Sequence, residues 1–123
     1  MTMREGYETT AGISGLAELT VECWRLLRLA ERLVRHQCAD RQAGSLAQIR
    51  YVRGRLDAIL SARGLRLVAY VDEPYSPNLP VTVANADEFE ANEGLVIAET
   101  LEPTLLADGR VVAMGKVILK QGD

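Results

Sequence analysis

Residues 56–68 of this 123-residue chain read LDAILSARGLRLV, and the hydrophobic pattern changes within this stretch. Before Gly64 the apolar residues recur every three or four positions, which is typical of a helix that buries one side. After Gly64, Leu65 and Leu67 alternate with their neighbours, which is typical of a strand. Gly64 suits the junction, because glycine readily adopts the left-handed conformation that ends many helices. The stretch therefore predicts helices before it and strands after it, in an α+β protein.

Two helices are predicted on the N-terminal side of Gly64. Residues 1–14 show no periodicity and are expected to form a flexible leader, after which Ser14 caps a first helix that ends near His36. Residues 37–44 (QCADRQAG) predict a turn, and Ser45 is expected to cap a second helix that ends at Gly64. The predicted helical hairpin therefore occupies residues 15–64.

Each predicted helix carries an apolar seam. The residues of this seam are spaced by three and four positions, which is the spacing of helices that pack side by side. Two helices alone leave part of their apolar surface in water, so we expect two copies of the hairpin to pair as a four-helix bundle. The predicted dimer interface comprises Leu19, Cys23, Leu26, Leu33, Ile49, Val52, Leu56 and Ile59.

The remaining residues, 65–123, predict a small all-β domain. Strands are expected at its start, from residue 81, over residues 94–101 and over residues 110–119. Three prolines between residues 74 and 80 indicate an extended loop, and Asp108-Gly109 is a turn signal before the last strand.

Composition predicts a globular cytoplasmic protein. The chain is 48% apolar and 25% charged, and no apolar run approaches the roughly 18 residues that a membrane span needs. The N-terminus lacks the basic start and apolar stretch of a signal peptide. Cys23 and Cys38 lie too far apart along one helical segment to pair, which favours a reducing compartment.

The residues that could perform chemistry do not form a recognisable catalytic or metal-binding pattern. The single histidine, His36, lies two positions from Cys38, and this spacing on a helix points the two side chains apart. Zinc sites normally need four ligands, and the carboxylates after residue 72 have the pattern of a solvated surface. We therefore expect a binding protein without enzymatic activity, metal or cofactor.

Charge is distributed unevenly along the chain. Ten of the fourteen basic residues, all arginine, lie between Arg25 and Arg66, whereas residues 67–109 contain none. Four arginines at residues 25, 28, 32 and 35 line one face of the first helix, and such a stripe can follow phosphates. Ion pairs with Glu22 and Glu31, together with the acidic net charge of −3, favour a solvated bundle surface over nucleic-acid binding.

Three motifs follow one another along the chain: LDAILSARGLRLV at 56–68, YSPNLP at 75–80, and GRVV at 109–112 followed by Lys116-Val117. In this order they resemble the GrpE family of nucleotide exchange factors, which act on DnaK-type heat-shock chaperones. The resemblance covers about residues 16–120. Ser76 stands where the family has aspartate, Pro80 where it has histidine, and residues 113–115 (AMG) where it has arginine-proline-alanine. The long paired helix of the family has no room before residue 16.

The resemblance implies a homodimeric cochaperone that binds the ATPase domain of a DnaK-type chaperone and promotes release of ADP. It implies that Arg110 is the residue most directly in contact with that domain, with further partner contacts at Gly109, Leu101 and Leu119. An alternative is a dimeric scaffold or regulatory protein-binding module that has the same fold but no exchange activity, because the departures at Ser76, Pro80 and 113–115 alter the partner contacts.

Overall fold

The computed structural model describes residues 2–90 and 94–122, and for residues 2–11 and 13 it describes the backbone alone. Within these residues two helices come first, and six strands with one short 3-10 helix follow, which confirms the α+β prediction. The chain divides into two compact units, Met1–Leu65 and Arg66–Asp123, which we call the helical unit and the β unit. Neither helix is long and apolar enough, over the residues described, to cross a membrane.

The helices have different ends from those predicted. Helix α1 (Thr2–Val34) runs through Ser14, so residues 2–14 are helical and Ser14 is not an N-cap. No proline interrupts residues 2–13, and a serine inside a helix costs less than 1 kcal/mol, so the helix continues past this position. Helix α2 (Ala39–Ser61) begins after Cys38, six residues before the expected cap at Ser45.

The turn between the helices is therefore only four residues long, from Arg35 to Cys38. The Gln42 side-chain amide donates hydrogen bonds to the carbonyl oxygens of Arg35 and Gln37, at 3.2 and 2.9 Å. Ser45 Oγ donates to the Gln37 side chain at 2.9 Å. Residues 39–44, which were expected to belong to the turn, thus form the start of α2. The Gln42 side chain satisfies carbonyl groups at the end of α1 from this position.

One stripe of α1 is buried in the hairpin, and it is not the predicted seam. The stripe also follows steps of three and four, and Glu31 lies within it and forms an ion pair with Arg53 of α2. That contact identifies the stripe as the side of α1 that faces α2. Its buried members are Ala17, Thr20, Trp24, Leu27 and Val34.

The β unit consists of two three-stranded sheets. One sheet has the order β1 (Leu65–Val68), β4 (Thr104–Ala107), β5 (Arg110–Ala113). The other has the order β2 (Val81–Val83), β6 (Gly115–Gln121), β3 (Leu95–Glu102), in which β6 runs parallel to β2 and antiparallel to β3. The expected strands at 65, 81 and 94–101 are thus present, and β4 is an additional strand that the sequence did not predict.

The second sheet carries the core of the β unit. Side chains from all three of its strands meet there, and aromatic and aliphatic residues from the loops cover them. The segment after β1 also closes the outer edge of β3, since the Asp72 and Tyr75 amides donate to carbonyls of β3 and the Ile97 amide donates to the Glu73 carbonyl. The core residues are Val81, Leu95, Ile97, Val117 and Leu119.

The predicted final strand, residues 110–119, is two strands that belong to different sheets. The chain leaves β5 at Ala113 and enters β6 at Gly115. A Cβ atom at Gly115 would lie 2.5 Å from Thr104 Oγ1 and 3.0 Å from the Glu102 carbonyl oxygen, so only glycine fits between the sheets here. The Pro80 carbonyl accepts hydrogen bonds from both the Gly115 amide and Thr104 Oγ1, which fixes the crossing point.

Candidate interaction surfaces

The predicted dimer seam of α1 lies on the outside of the hairpin. Leu19, Leu26 and Leu33 are spaced by seven residues and are 61%, 66% and 60% exposed. Cys23, between the first two, is half-buried and is a free thiol. An exposed leucine is ordinary on its own, but three in register over four turns form a continuous apolar strip.

Helix α2 contributes a second strip to the same side of the hairpin. Val52 and Ile59 are exposed, and Ile49 and Leu56 are half-buried between this strip and the helix contact. Each residue is rotated by about 100° around the helix axis from the one before it. Counted in this way, the exposed apolar residues of α1 and those of α2 are rotated away from the helix contact in the same direction. Because helices joined by a short turn run antiparallel, this places both sets on the same side of the hairpin. We call this side the apolar face.

A second surface lies at the tip of the hairpin formed by β4 and β5. Ala107 pairs with Arg110, and between them Asp108 and Gly109 have φ angles of 51° and 82°. Two consecutive left-handed residues form the tight turn that suits the twist of paired strands, as the Asp-Gly dipeptide predicted. The turn places the exposed Arg110 side chain at the first position of β5, an outer strand of its sheet.

Two apolar residues that follow Arg110 in the chain were not predicted as part of this surface. Val111 is 47% exposed and Met114 is 51% exposed. Arg110 and Val111 pair in regular register with β4, and the register shifts only beyond Val111, where Val112 is the extra residue of β5. We call Arg110, Val111 and Met114 the β5 surface. No sequence signal identified Val111 and Met114, because alternation along a strand predicts that neighbouring residues lie on opposite faces.

The structure corrects one of the proposed partner contacts. Leu119 is 4% exposed and belongs to the core of the β unit, so its side chain is not available on the surface. Alternation along β6 puts Leu119 on the same side as Val117, which is fully buried. Leu101 is half-buried near the end of β3, and Gly109 is exposed in the turn.

The positions that depart from the GrpE-like motifs have structural roles in this chain. Ser76 Oγ accepts a hydrogen bond from the Asn78 amide within the loop. The Pro80 carbonyl holds the crossing between the sheets, and residues 113–115 are the point at which the chain changes sheet. Of these positions, Gly115 is the one at which a side chain would act directly on the packing between the two sheets.

Metal ligands do not cluster in the part of the chain that the structure describes, where no group of three His, Cys, Asp or Glu side chains could hold an ion. Cys38, at the start of α2, is an exposed free thiol.

Neither the protein-family models nor the curated proteins compared with this chain gave a match. What the protein does must therefore be inferred from its own surfaces.

Proposed function

We propose that this protein is a GrpE-like cochaperone: a homodimer whose β units bind the ATPase domain of a DnaK-type chaperone and promote ADP release. The observation that carries the proposal is the β5 surface, where an exposed arginine is followed in the chain by the exposed side chains of Val111 and Met114, at the position that the motif resemblance assigns to the chaperone contact. Arginine suits such a contact, because its planar guanidinium binds carboxylates at two points while its stem adds apolar area.

The apolar face supports the dimer in this proposal. Fully burying one exposed leucine is worth about 1.5–3 kcal/mol, and a four-helix bundle of two hairpins would bury the strips of both helices in each copy. In a two-fold symmetric dimer each copy contributes the same surface to the interface, so the apolar face of one copy packs against the apolar face of the other.

Exchange by such a protein is a population shift. The chaperone's ATPase domain opens and closes around its nucleotide, and a partner speeds release only if it binds the open state more tightly than the closed one. A preference of about 1.4 kcal/mol changes the ratio of open to closed tenfold. No covalent bond is formed or broken, so no catalytic residue is required.

The test is release of a fluorescent nucleotide from a DnaK-type chaperone, measured by stopped flow with and without the full chain. We expect faster release with the wild type and a reduction of at least about tenfold in that acceleration with Arg110→Ala, which corresponds to about 1.4 kcal/mol of contact energy. Arg66→Ala is the matched control, since Arg66 is an exposed arginine in β1, the opposite outer strand of the same sheet.

A dimer that leaves the release rate unchanged would overturn the exchange activity and favour the scaffold alternative. An equal loss in both arginine variants would show that the β5 surface is not the specific contact.

A further inference from the structure

The hairpin has a second distinct side, which is rich in arginine. On α1 four arginines recur at steps of three, four and three, and on α2 two arginines are spaced by three. We call these residues the arginine face: Arg25, Arg28, Arg32, Arg35, Arg50 and Arg53.

Helix geometry places these arginines on one side of the hairpin, opposite the apolar face. Around each helix, these arginines are rotated away from the helix contact in the direction opposite to that of the exposed apolar residues. In an antiparallel pair of helices, the arginine row of α1 and that of α2 therefore lie on the same side of the hairpin. Pairing of the apolar faces in a dimer would leave the arginine faces on the two outer sides of the bundle, so this surface does not depend on the proposed exchange activity.

Two of these arginines contact other side chains of the hairpin. Arg28 is half-buried, and its guanidinium lies 5.1 Å from the centre of the buried Trp24 ring. Arg53 is half-buried and pairs with Glu31 across the helix contact. The other four side chains are exposed, and Arg25 among them pairs with Glu22.

Positive charge on this part of the chain exceeds what its own acids neutralise. The six arginines of the face share their side of the hairpin with two acidic residues, Glu31 and Asp57, which gives a formal charge of 6 − 2 = +4. Glu31 is paired with Arg53, and Glu22 pairs with Arg25 at 3.1 Å. An excess of positive charge on one side of a helical hairpin produces a field that attracts a polyanion.

We propose that the arginine face binds the phosphate backbone of a nucleic-acid duplex without reading its sequence. The stripe on α1 alone indicated a solvated bundle surface, and the two arginines of α2 on the same side add the second row that favours a phosphate backbone instead. The row from Arg25 to Arg35 is about 15 Å long at a rise of about 1.5 Å per residue, which is long enough to contact successive phosphates of one strand. The second row lies about 8–10 Å away, the usual distance between packed helices. Guanidinium groups bind phosphate oxygens at two points, and every basic residue of this face is an arginine.

The aromatic residues argue for a duplex over a single strand. Proteins that hold single strands stack the bases on exposed aromatic rings. Trp24 is 4% exposed beneath Arg28, and the exposed Tyr51 of α2 points away from both the helix contact and the arginine face. The described residues of this face therefore contact phosphates and not bases. The acidic net charge of the whole chain limits the affinity and makes it strongly salt-dependent.

The experiment measures anisotropy of a fluorescein-labelled duplex of about 20 base pairs with the full chain over a salt series from about 20 to 200 mM, once with DNA and once with RNA. Binding to either duplex supports the proposal, and the tighter one identifies the source of the phosphates. The test variant is R32Q/R35Q/R50Q. The charge-matched control is R41Q/R55Q/R63Q, three exposed arginines in α2 or just after it that lie on the side of Val52 and Ile59, opposite the arginine face.

We expect the test variant to weaken binding roughly tenfold or more at low salt and to reduce the slope of log affinity against log salt by about 2–3, since each lost phosphate contact removes about 0.9. The control should change the slope by less than about 1. The variant R32K/R35K/R50K should keep the slope, because it keeps the charges.

Three results would overturn the proposal: no binding at the lowest salt, equal weakening by the test variant and the control, or a salt-independent affinity. Binding of an acidic peptide such as polyglutamate in the absence of duplex binding would assign the face to an acidic protein instead, and would also overturn it.

Discussion

The helical unit and the β unit differ in how far they bury their apolar side chains. The β unit encloses a core of its own, in which Ile97 and Val117 are fully buried. The helical unit buries one stripe of α1 but exposes leucines at three successive heptad positions. The charges differ as well: residues 1–65 hold ten basic and seven acidic residues, whereas residues 66–123 hold four and ten. A unit with a closed core needs no partner for stability, whereas an exposed apolar strip gains stability from one.

The largest expected effect tests the closed core. Ile97→Ala removes a fully buried side chain and should lower the free energy of unfolding of the β unit by about 2–5 kcal/mol. Leu29→Ala, at an exposed leucine of α1, should cost less than about 1 kcal/mol. Trp24 is the only tryptophan, so its fluorescence follows the helical unit, and hydrogen exchange of β3 and β6 amides follows the β unit. A similar loss of unfolding free energy in Ile97→Ala and Leu29→Ala would contradict the difference in burial between the two units.

The next effect tests the apolar face. L19E/L26E places two carboxylates per copy in the strip, and we expect the dissociation constant of the dimer to rise at least about a hundredfold, or about 2.7 kcal/mol, in sedimentation experiments. Val71→Glu is the control, because Val71 is similarly exposed, at 63%, but lies in the β unit. A wild-type chain that remains monomeric at micromolar concentration would refute the four-helix bundle.

A smaller effect tests the crossing between the two sheets. Gly115→Ala brings a methyl group against Thr104 Oγ1 and should destabilise the β unit by about 1–3 kcal/mol in chemical denaturation. Adding Thr104→Ala to this variant should recover only part of the loss, because the Glu102 carbonyl and the Thr104 amide also lie within 3.1 Å of the new atom. Full recovery of stability would show that the Thr104 side chain alone limits the space at residue 115.

The smallest effects compare one buried threonine in each unit. Thr100 Oγ1 donates to the Tyr70 carbonyl and accepts from the Tyr70 amide, so Thr100→Val should cost about 1–3 kcal/mol. Thr20 Oγ1 is buried in the hairpin and has no hydrogen-bond partner among the described residues, so Thr20→Val should stabilise by up to about 1 kcal/mol. Thermal unfolding measures both, and a loss of stability in Thr20→Val would mean that the hydroxyl is satisfied.

Local patterns were sufficient to predict element types, because helix and strand periodicity follow from the positions of neighbouring residues. Gly64 has a φ of 72° in the turn after α2, which ends at Ser61, three residues before the predicted end, and Asp108-Gly109 forms the expected turn. The helix starts were wrong at both serines, since a serine is compatible with a helix interior and only the contacts of the flanking residues decide whether it caps. Beside Arg110 the exposure of Val111 was not predicted, because alternation along a strand places neighbouring residues on opposite faces.

The sequence by itself determined that two helices precede a β unit and that α1 is amphipathic. It could not decide which side of α1 meets α2, because two stripes one residue apart both follow steps of three and four, and the more apolar one, with Leu19 and Leu26, was not the one buried. The tertiary structure chose the stripe that holds Thr20 and Glu31, where Arg53 on α2 pairs with Glu31. That choice depends on residues about twenty positions apart, and it left Leu19, Leu26 and Leu33 exposed on one side of the hairpin and the arginine face on the other.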